Sequence, residues 1–274
     1  MTIAAPLIPT TSAQRLRWVF ADAWVLARRN MIHWFRTPVV MLYSLLWPVV
    51  MVLLFGYVFG SAMKVPGGGD YREFLMPGLY GQTMVFGVAT TLTAITTDVA
   101  KGATDRFRSM PMSGSAVVLG RSLADMFYSV LELASLVICG LAVGWRWHHG
   151  PAKALAAIGL YLLLRFALVW VGILLGLLVP PEAAGVAYVP LFPLTLLANT
   201  FVSPAEMPGW LQTIAEWNPL SATVGAGCDL FGNPGRGGEG WAAQHSLALA
   251  VGWPLLITLV FLPLCARRYR RLGR

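Results

Sequence analysis

The chain has 274 residues, 57% of them hydrophobic and 12% charged, with a mean hydropathy of +0.66. Soluble domains carry about 25% charged residues, and a chain of this length could not hide so much apolar surface from water, so lipid is its indicated solvent. The net charge of +8 is gathered at the chain ends and in one loop, the distribution of membrane topology rather than of a nucleic-acid-binding face.

Residues 14–36 place Leu16, Phe20, Trp24, Ala27, Met31 and Trp34 at steps of three or four, with Arg15, Arg28, Arg29 and Arg36 mostly off that stripe. This is the pattern of an amphipathic helix lying in a membrane interface. The apolar run that follows is too long for the h-region of a cleaved signal and reads as a retained first span. Six runs approach or exceed the roughly 20 residues needed to cross the hydrocarbon core: 39–60, 74–99, 116–144, 153–179, 183–202 and 246–266. The fifth is interrupted by Pro190 and Pro193. Between the last two runs, residues 203–231 read as two short outer helices split at Asn218-Pro219, because the residue before proline avoids helical geometry. A glycine-rich link follows. The fold class expected is therefore all-α integral membrane protein: an interfacial helix, six transmembrane helices and outer re-entrant helices.

Lysines and arginines orient the bundle. With the N-terminus inside, the inner segments hold Arg15, Arg17, Arg28, Arg29, Arg36, Lys101, Arg106, Arg108, Arg121 and the five arginines from Arg267 to Arg274. The outer segments hold only Lys64, Arg72, Arg146, Lys153 and Arg236. Both termini are thus expected in the cytoplasm.

The three cysteines, Cys139, Cys228 and Cys265, show no metal spacing and imply no disulfide. His148 and His149 stand beside Trp145 and Trp147 in a short outer turn and read as an interfacial anchor, so no metal is expected. Trp47, Phe55 and Trp170 have packing or lipid-facing roles as their default, and no substrate residue is nominated. The nearest approach to a phosphate-binding loop, residues 114–122 (GSAVVLGRS), has the wrong glycine spacing and Arg121 in place of lysine. Energy for any work must then come from a partner or an ion gradient.

Charge inside the spans is costly, about 2.5–3.5 kcal/mol for an unpaired group on insertion scales. Asp125 and Glu132 lie seven residues apart on the third span and share a face. Arg165 falls near the middle of the fourth, at the depth of Glu132, and the two are expected to pair. That pairing leaves open a structural tie, a substrate contact or a proton relay.

Between the second and third spans runs Asp98-Val-Ala-Lys-Gly-Ala-Thr-Asp-Arg-Phe-Arg-Ser-Met-Pro111. Gly102 permits a sharp exit from a helix, and Pro111 ends whatever short helix follows. Phe107 and Met110 share a face there, with Asp105, Arg106 and Arg108 around it: apolar area to bury and charges to set register on a docked partner. This run closely resembles the cytoplasmic loop of ABC-2 type exporter permeases, in particular the daunorubicin-resistance-like branch. Pro208-Gly-Trp-Leu-Gln212 and Trp217-Asn-Pro-Leu-Ser221 resemble that family's outer re-entrant segment, and the likeness spans essentially the whole chain. One departure is that many members carry an acidic residue just before the glycine, where this chain has Ala100 and Lys101.

The resemblance implies a plasma-membrane permease that hydrolyses no nucleotide. It would move a drug, antibiotic, lipid or other amphipathic molecule outward as a dimer with a second permease, either another copy of itself or a sister permease. A separate ATPase subunit would bind the ATP and dock on a coupling helix at 102–111 (Gly102, Asp105, Arg106, Phe107, Arg108, Met110, Pro111) and on the interfacial helix. No cofactor of the chain's own is implied. The competing reading is an ion-coupled secondary transporter using Asp125 and Glu132, although no internal repeat is visible. A membrane enzyme would require convergent acid–base groups that the sequence does not offer.

Overall fold

The computed structural model describes residues 12–36, 38–59, 70–102, 114–235 and 240–271. The described residues form helices and turns, with no strand among them. In chain order they are α1 (Ser12–Arg36), α2 (Pro38–Leu53), a π-helical turn (Leu54–Phe59), α3 (Tyr71–Ala100), α4 (Gly114–Val143), α5 (Pro151–Gly176), α6 (Tyr188–Leu196), α7 (Gly209–Trp217), α8 (Pro219–Phe231), α9 (Trp241–Gln244) and α10 (Ser246–Arg271). Among the described residues, α3, α4, α5 and α10 are each long and apolar enough to cross a membrane.

Local chemistry sets the helix ends. Asp70 caps α3, its side chain accepting from Arg72 N at 2.9 Å, and Glu73 in the first turn complements the positive end of the helix dipole. Gly144 (φ 108°) closes α4, and Gly150 (φ 83°) turns the chain into Pro151, which starts α5 without leaving an amide stranded. Asn218 caps α8 through Leu220 N and donates to Leu194 O, while Pro219 takes the first helical position.

The bundle is built on α5. One face packs along α3, where a Cβ on Gly172 would stand 2.8 Å from Thr91 Cβ and one on Gly176 would stand 2.7 Å from Ile95 Cβ. Small residues four apart let two backbones approach closely, which is how helices associate where water supplies no driving force. Other faces of α5 meet α10 and α8. Likewise α1 seats on α4 through Ala23, Leu26 and Ala27, with Gly120 beneath Ala23 O.

Two expectations need revision. Residues 183–202 do not form a continuous span. A 3-10 turn (Pro181–Val186) leads into the nine-residue α6, and residues 197–200 form turns. Pro193 removes an amide donor and Pro190 sits in the first turn of α6, so one uninterrupted helix is not sustained there. The outer segment is also more than a surface dip. After a 3-10 turn (Pro204–Glu206) and α7, helix α8 enters the bundle between α3, α5 and α10 and buries Leu220, Val224, Cys228 and Phe231.

The core lies where α8 arrives. Tyr80 of α3 sets its ring edge-on to Trp145 (5.4 Å), Tyr161 (5.9 Å) and Phe231 (6.1 Å). Edge-to-face aromatic packing of this kind fills volume without leaving voids. Trp145 is therefore a core residue, 0% exposed, and not the interfacial anchor its position in a turn suggests; Trp170 is also buried, whereas Trp47 faces outward.

Candidate functional site

At one end of the bundle gather α1, the last turn of α3, the first turns of α4 and the ends of α5 and α10. A crevice there is lined by Leu26, Arg29, Asp98, Arg121, Leu177 and Tyr269 among others. The charged run after α3 thus emerges on the side where α1 lies and α10 finishes. Gly102 takes φ 64°, a Cβ there would meet nothing within 4 Å, and its amide bonds Val99 O, so the chain turns off the helix at that residue. Asp105, Arg106, Phe107, Arg108, Met110 and Pro111 lie outside the described residues. Residues 114–122 are not a loop but the first turns of α4. Gly120 there makes room for α1.

Deeper in, the buried charges converge on α5. Arg121 pairs with Asp125 at 2.7 Å, one turn along α4. Asp125 also accepts from Thr91 Oγ1 of α3 at 2.7 Å. Arg165, 1% exposed, donates from Nη2 to Thr91 Oγ1 (2.9 Å) and from Nε to Ser129 Oγ (2.8 Å). Ser129 in turn donates to Asp125 O at 2.8 Å. Two arginines, one carboxylate and two hydroxyls thereby link α3, α4 and α5. Gly87 gives the guanidinium its space, since a Cβ there would come within 2.7 Å of both Arg165 Nε and Nη1.

The sequence places Asp125, Glu132 and Arg165 in one region, and the structure brings Arg165 to Asp125 through Thr91. Glu132 stands apart from this set of bonds. Its carboxylate makes no hydrogen bond or ion pair among the described residues, so the expected pair with Arg165 is not formed; its backbone oxygen accepts from Ser135 Oγ at 2.7 Å. Thr91 and Ser129 give no sequence signal, because a hydroxyl in an apolar run carries no charge pattern. The Gly172–Gly176 spacing, a four-residue repeat of small residues in an apolar helix, is the available signal for the α3–α5 contact.

At the opposite end, His148 Nε2 meets Glu73 Oε1 at 2.9 Å, and Arg72 Nη1 donates to Val143 O at 3.0 Å. Trp145 Nε1 donates to Asn233 Oδ1 at 2.9 Å, and Asn233 Nδ2 reaches Arg146 O. Sequence distance hides Glu73 from His148. Among the described residues, no group of three His, Cys, Asp or Glu side chains could hold a metal ion.

The profile of the ABC-2 type transporter family matches residues 21–231, from α1 to the last residue of α8. The chain belongs to the ABC-2 type transporter family. This permease is 32% identical over 245 residues to the daunorubicin resistance ABC transporter permease protein DrrB1 of Streptomyces coeruleorubidus, covering 88% of this chain and 83% of that one. It is 26% identical over 254 residues to the putative transport permease ycf38 of Cyanophora paradoxa, covering 88% and 84%. An ABC-2 permease is a membrane-spanning transport protein and not a catalytic one. The matched stretch contains the whole polar network and the charged run of sequence after α3.

Proposed function

We propose that this permease is the membrane-spanning subunit of a bacterial plasma-membrane exporter driven by a separate ATP-binding cassette subunit. The family match carries the reading. The gathering of α1, the end of α3 and the end of α10 on one side supports it, because a docked ATPase could then press on both the interfacial helix and the segment that follows Gly102. Lysine and arginine bias supports a cytoplasmic position for that side. Six crossings are reached by counting α2 with its π-helical turn and the broken 183–202 segment beside the four long helices. Two permeases would line the route. The relative named for daunorubicin resistance points to amphipathic drug-like cargo.

The ion-coupled alternative would use Asp125 and Glu132 as proton carriers; both carboxylate oxygens of Asp125 are already engaged by Arg121 and Thr91, which leaves Glu132 as its remaining candidate. The test is to co-express the permease with an ATP-binding cassette subunit that co-purifies with it and to replace Arg106 and Phe107 with alanine. ATP hydrolysis by the purified complex should then lose its link to transport while membrane insertion is unchanged. Coupling that survives both substitutions removes the docking assignment.

A further inference from the structure

Helix α7 is turned inside out for a helix in water. It exposes Trp210, Ile214 and Trp217 and buries Ala215 together with Glu216, which is only 9% exposed. Glu216 faces a cavity of about 180 Å³ lined also by Asn199, Ser221, Asp229, Ala242 and Ser246, which is room for a chemical group rather than a single water. Asn199 belongs to the turns that interrupt the 183–202 segment, and irregular backbone within a membrane protein is tolerated where it borders such a cavity. Asp229 and Gly235, both exposed, mark the mouth. It opens beside the turn between α4 and α5, where His149 Nδ1 meets Asp229 O at 2.9 Å. Glu216 Oε1 accepts from Gln212 Nε2 at 3.0 Å, and Asp229 Oδ2 accepts from Ser246 Oγ at 3.2 Å. Among the described residues, Glu216 Oε2 and Asp229 Oδ1 meet no donor, and neither carboxylate has a cationic partner. A buried carboxylate without a cation is costly.

We propose that this cavity binds the protonated amine of an amphiphilic molecule, with Glu216 as its anchor and Asp229 drawing the charge in at the mouth. An ammonium has donors and no acceptor, and the two carboxylates and the hydroxyls of Ser221 and Ser246 can all accept. A metal ion fits less well, since no group of three His, Cys, Asp or Glu side chains stands together among the described residues. The apolar body belongs on the indoles. Trp217 follows Glu216, Trp241 precedes Ala242, and their exposed rings stack at 6.0 Å. Indoles of this kind sit at the headgroup level of a bilayer, so the ammonium can arrive on a cargo molecule or on an ethanolamine lipid headgroup. Where it arrives on cargo, the site gives the charge of what the proposed exporter carries, and that part rests on the exporter reading.

The test uses the full-length permease without an ATPase, in phosphatidylcholine nanodiscs, so a negative result strikes the site and leaves the exporter reading untouched. Benzylamine is titrated and followed by saturation-transfer NMR, with benzyl alcohol as its neutral counterpart. Benzylamine binding should saturate and should weaken about tenfold or more in Glu216→Gln, the loss of a charge-assisted hydrogen bond, and severalfold in Asp229→Asn. Benzyl alcohol should bind the parent no better than the variants. No saturable binding, equal benzylamine binding by parent and both variants, or benzyl alcohol binding as tight as benzylamine overturns the site. Glu216→Gln keeps an acceptor oxygen for Gln212; should it fail to fold, Asp229→Asn at the exposed mouth carries the comparison. Replacing half of the lipid with phosphatidylethanolamine separates the two sources. Loss of benzylamine binding assigns the site to the headgroup amine, and unchanged binding assigns it to an amine on the cargo. Arg236 follows Gly235 in sequence and lies outside the described residues. Benzylamine binding that appears only in Arg236→Gln overturns the proposal in favour of an ion pair within the chain.

Discussion

Among single residues, Gly87 has the sharpest requirement. The missing side chain is what allows the Arg165 guanidinium to lie against α3 and reach Thr91. Gly87→Ala should therefore displace the guanidinium and cost stability well beyond the few tenths of a kcal/mol usual for a surface change. Gly159→Ala, on α5 where a Cβ meets nothing within 4 Å, should be neutral or mildly stabilising through helix propensity. Unfolding midpoints of the two variants side by side check this, and equal midpoints would mean that the guanidinium has slack. Trp145→Phe offers a second measurement. It keeps the ring packing on Tyr80 but strips the donor from buried Asn233, with an expected cost of about 1–3 kcal/mol for the unsatisfied amide oxygen. At this scale the sequence is half legible. Charges in apolar runs announce Asp125, Glu132 and Arg165, because lipid makes every such charge conspicuous. Their partners are hidden, because Thr91 and Ser129 look like ordinary polar punctuation until three helices bring them together.

Helices and their breaks are easier to read than contacts. The runs at 74–99, 116–144, 153–179 and 246–266 correspond to α3, α4, α5 and α10 within a few residues, since length and hydropathy are strong signals in a membrane chain. The break in 183–202 is visible only as a pair of prolines. The depth of α8 is not visible at all, because a helix with Ser221, Ala222, Thr223 and Gly225 reads as marginally apolar when its neighbours are unknown. What seats it is the joint at Asn218, which serves α8 as cap and Leu194 as donor at once. Asn218→Ala should cost about 0.5–2 kcal/mol, the usual range for a lost N-cap. Asn218→Asp, which keeps the capping oxygen and loses the amide donor, should fall between it and the unaltered chain. If both variants melt with the parent protein, the joint is not what holds α8.

For the whole molecule, the orientation assigned from arginine and lysine can be measured directly. Lys101 lies exposed at the end of α3, and His149 lies exposed in the turn between α4 and α5 at the opposite end. In intact cells a membrane-impermeant maleimide should label a His149→Cys variant and leave Lys101→Cys untouched until the cells are opened. The reverse pattern would invert the topology and with it the docking of any cytoplasmic ATPase. Cys228 and Cys265 are buried and Cys139 is half-buried, so background labelling should be low.

The aromatic knot of Tyr80, Trp145, Tyr161 and Phe231 bears on the path of the cargo. Where α8 pushes into the bundle, the end of a single copy beside the turn between α4 and α5 is filled by these rings packed against one another. On the proposed export function, cargo would pass not along the axis of such a body but along its flank, so one copy would provide only one wall of the road.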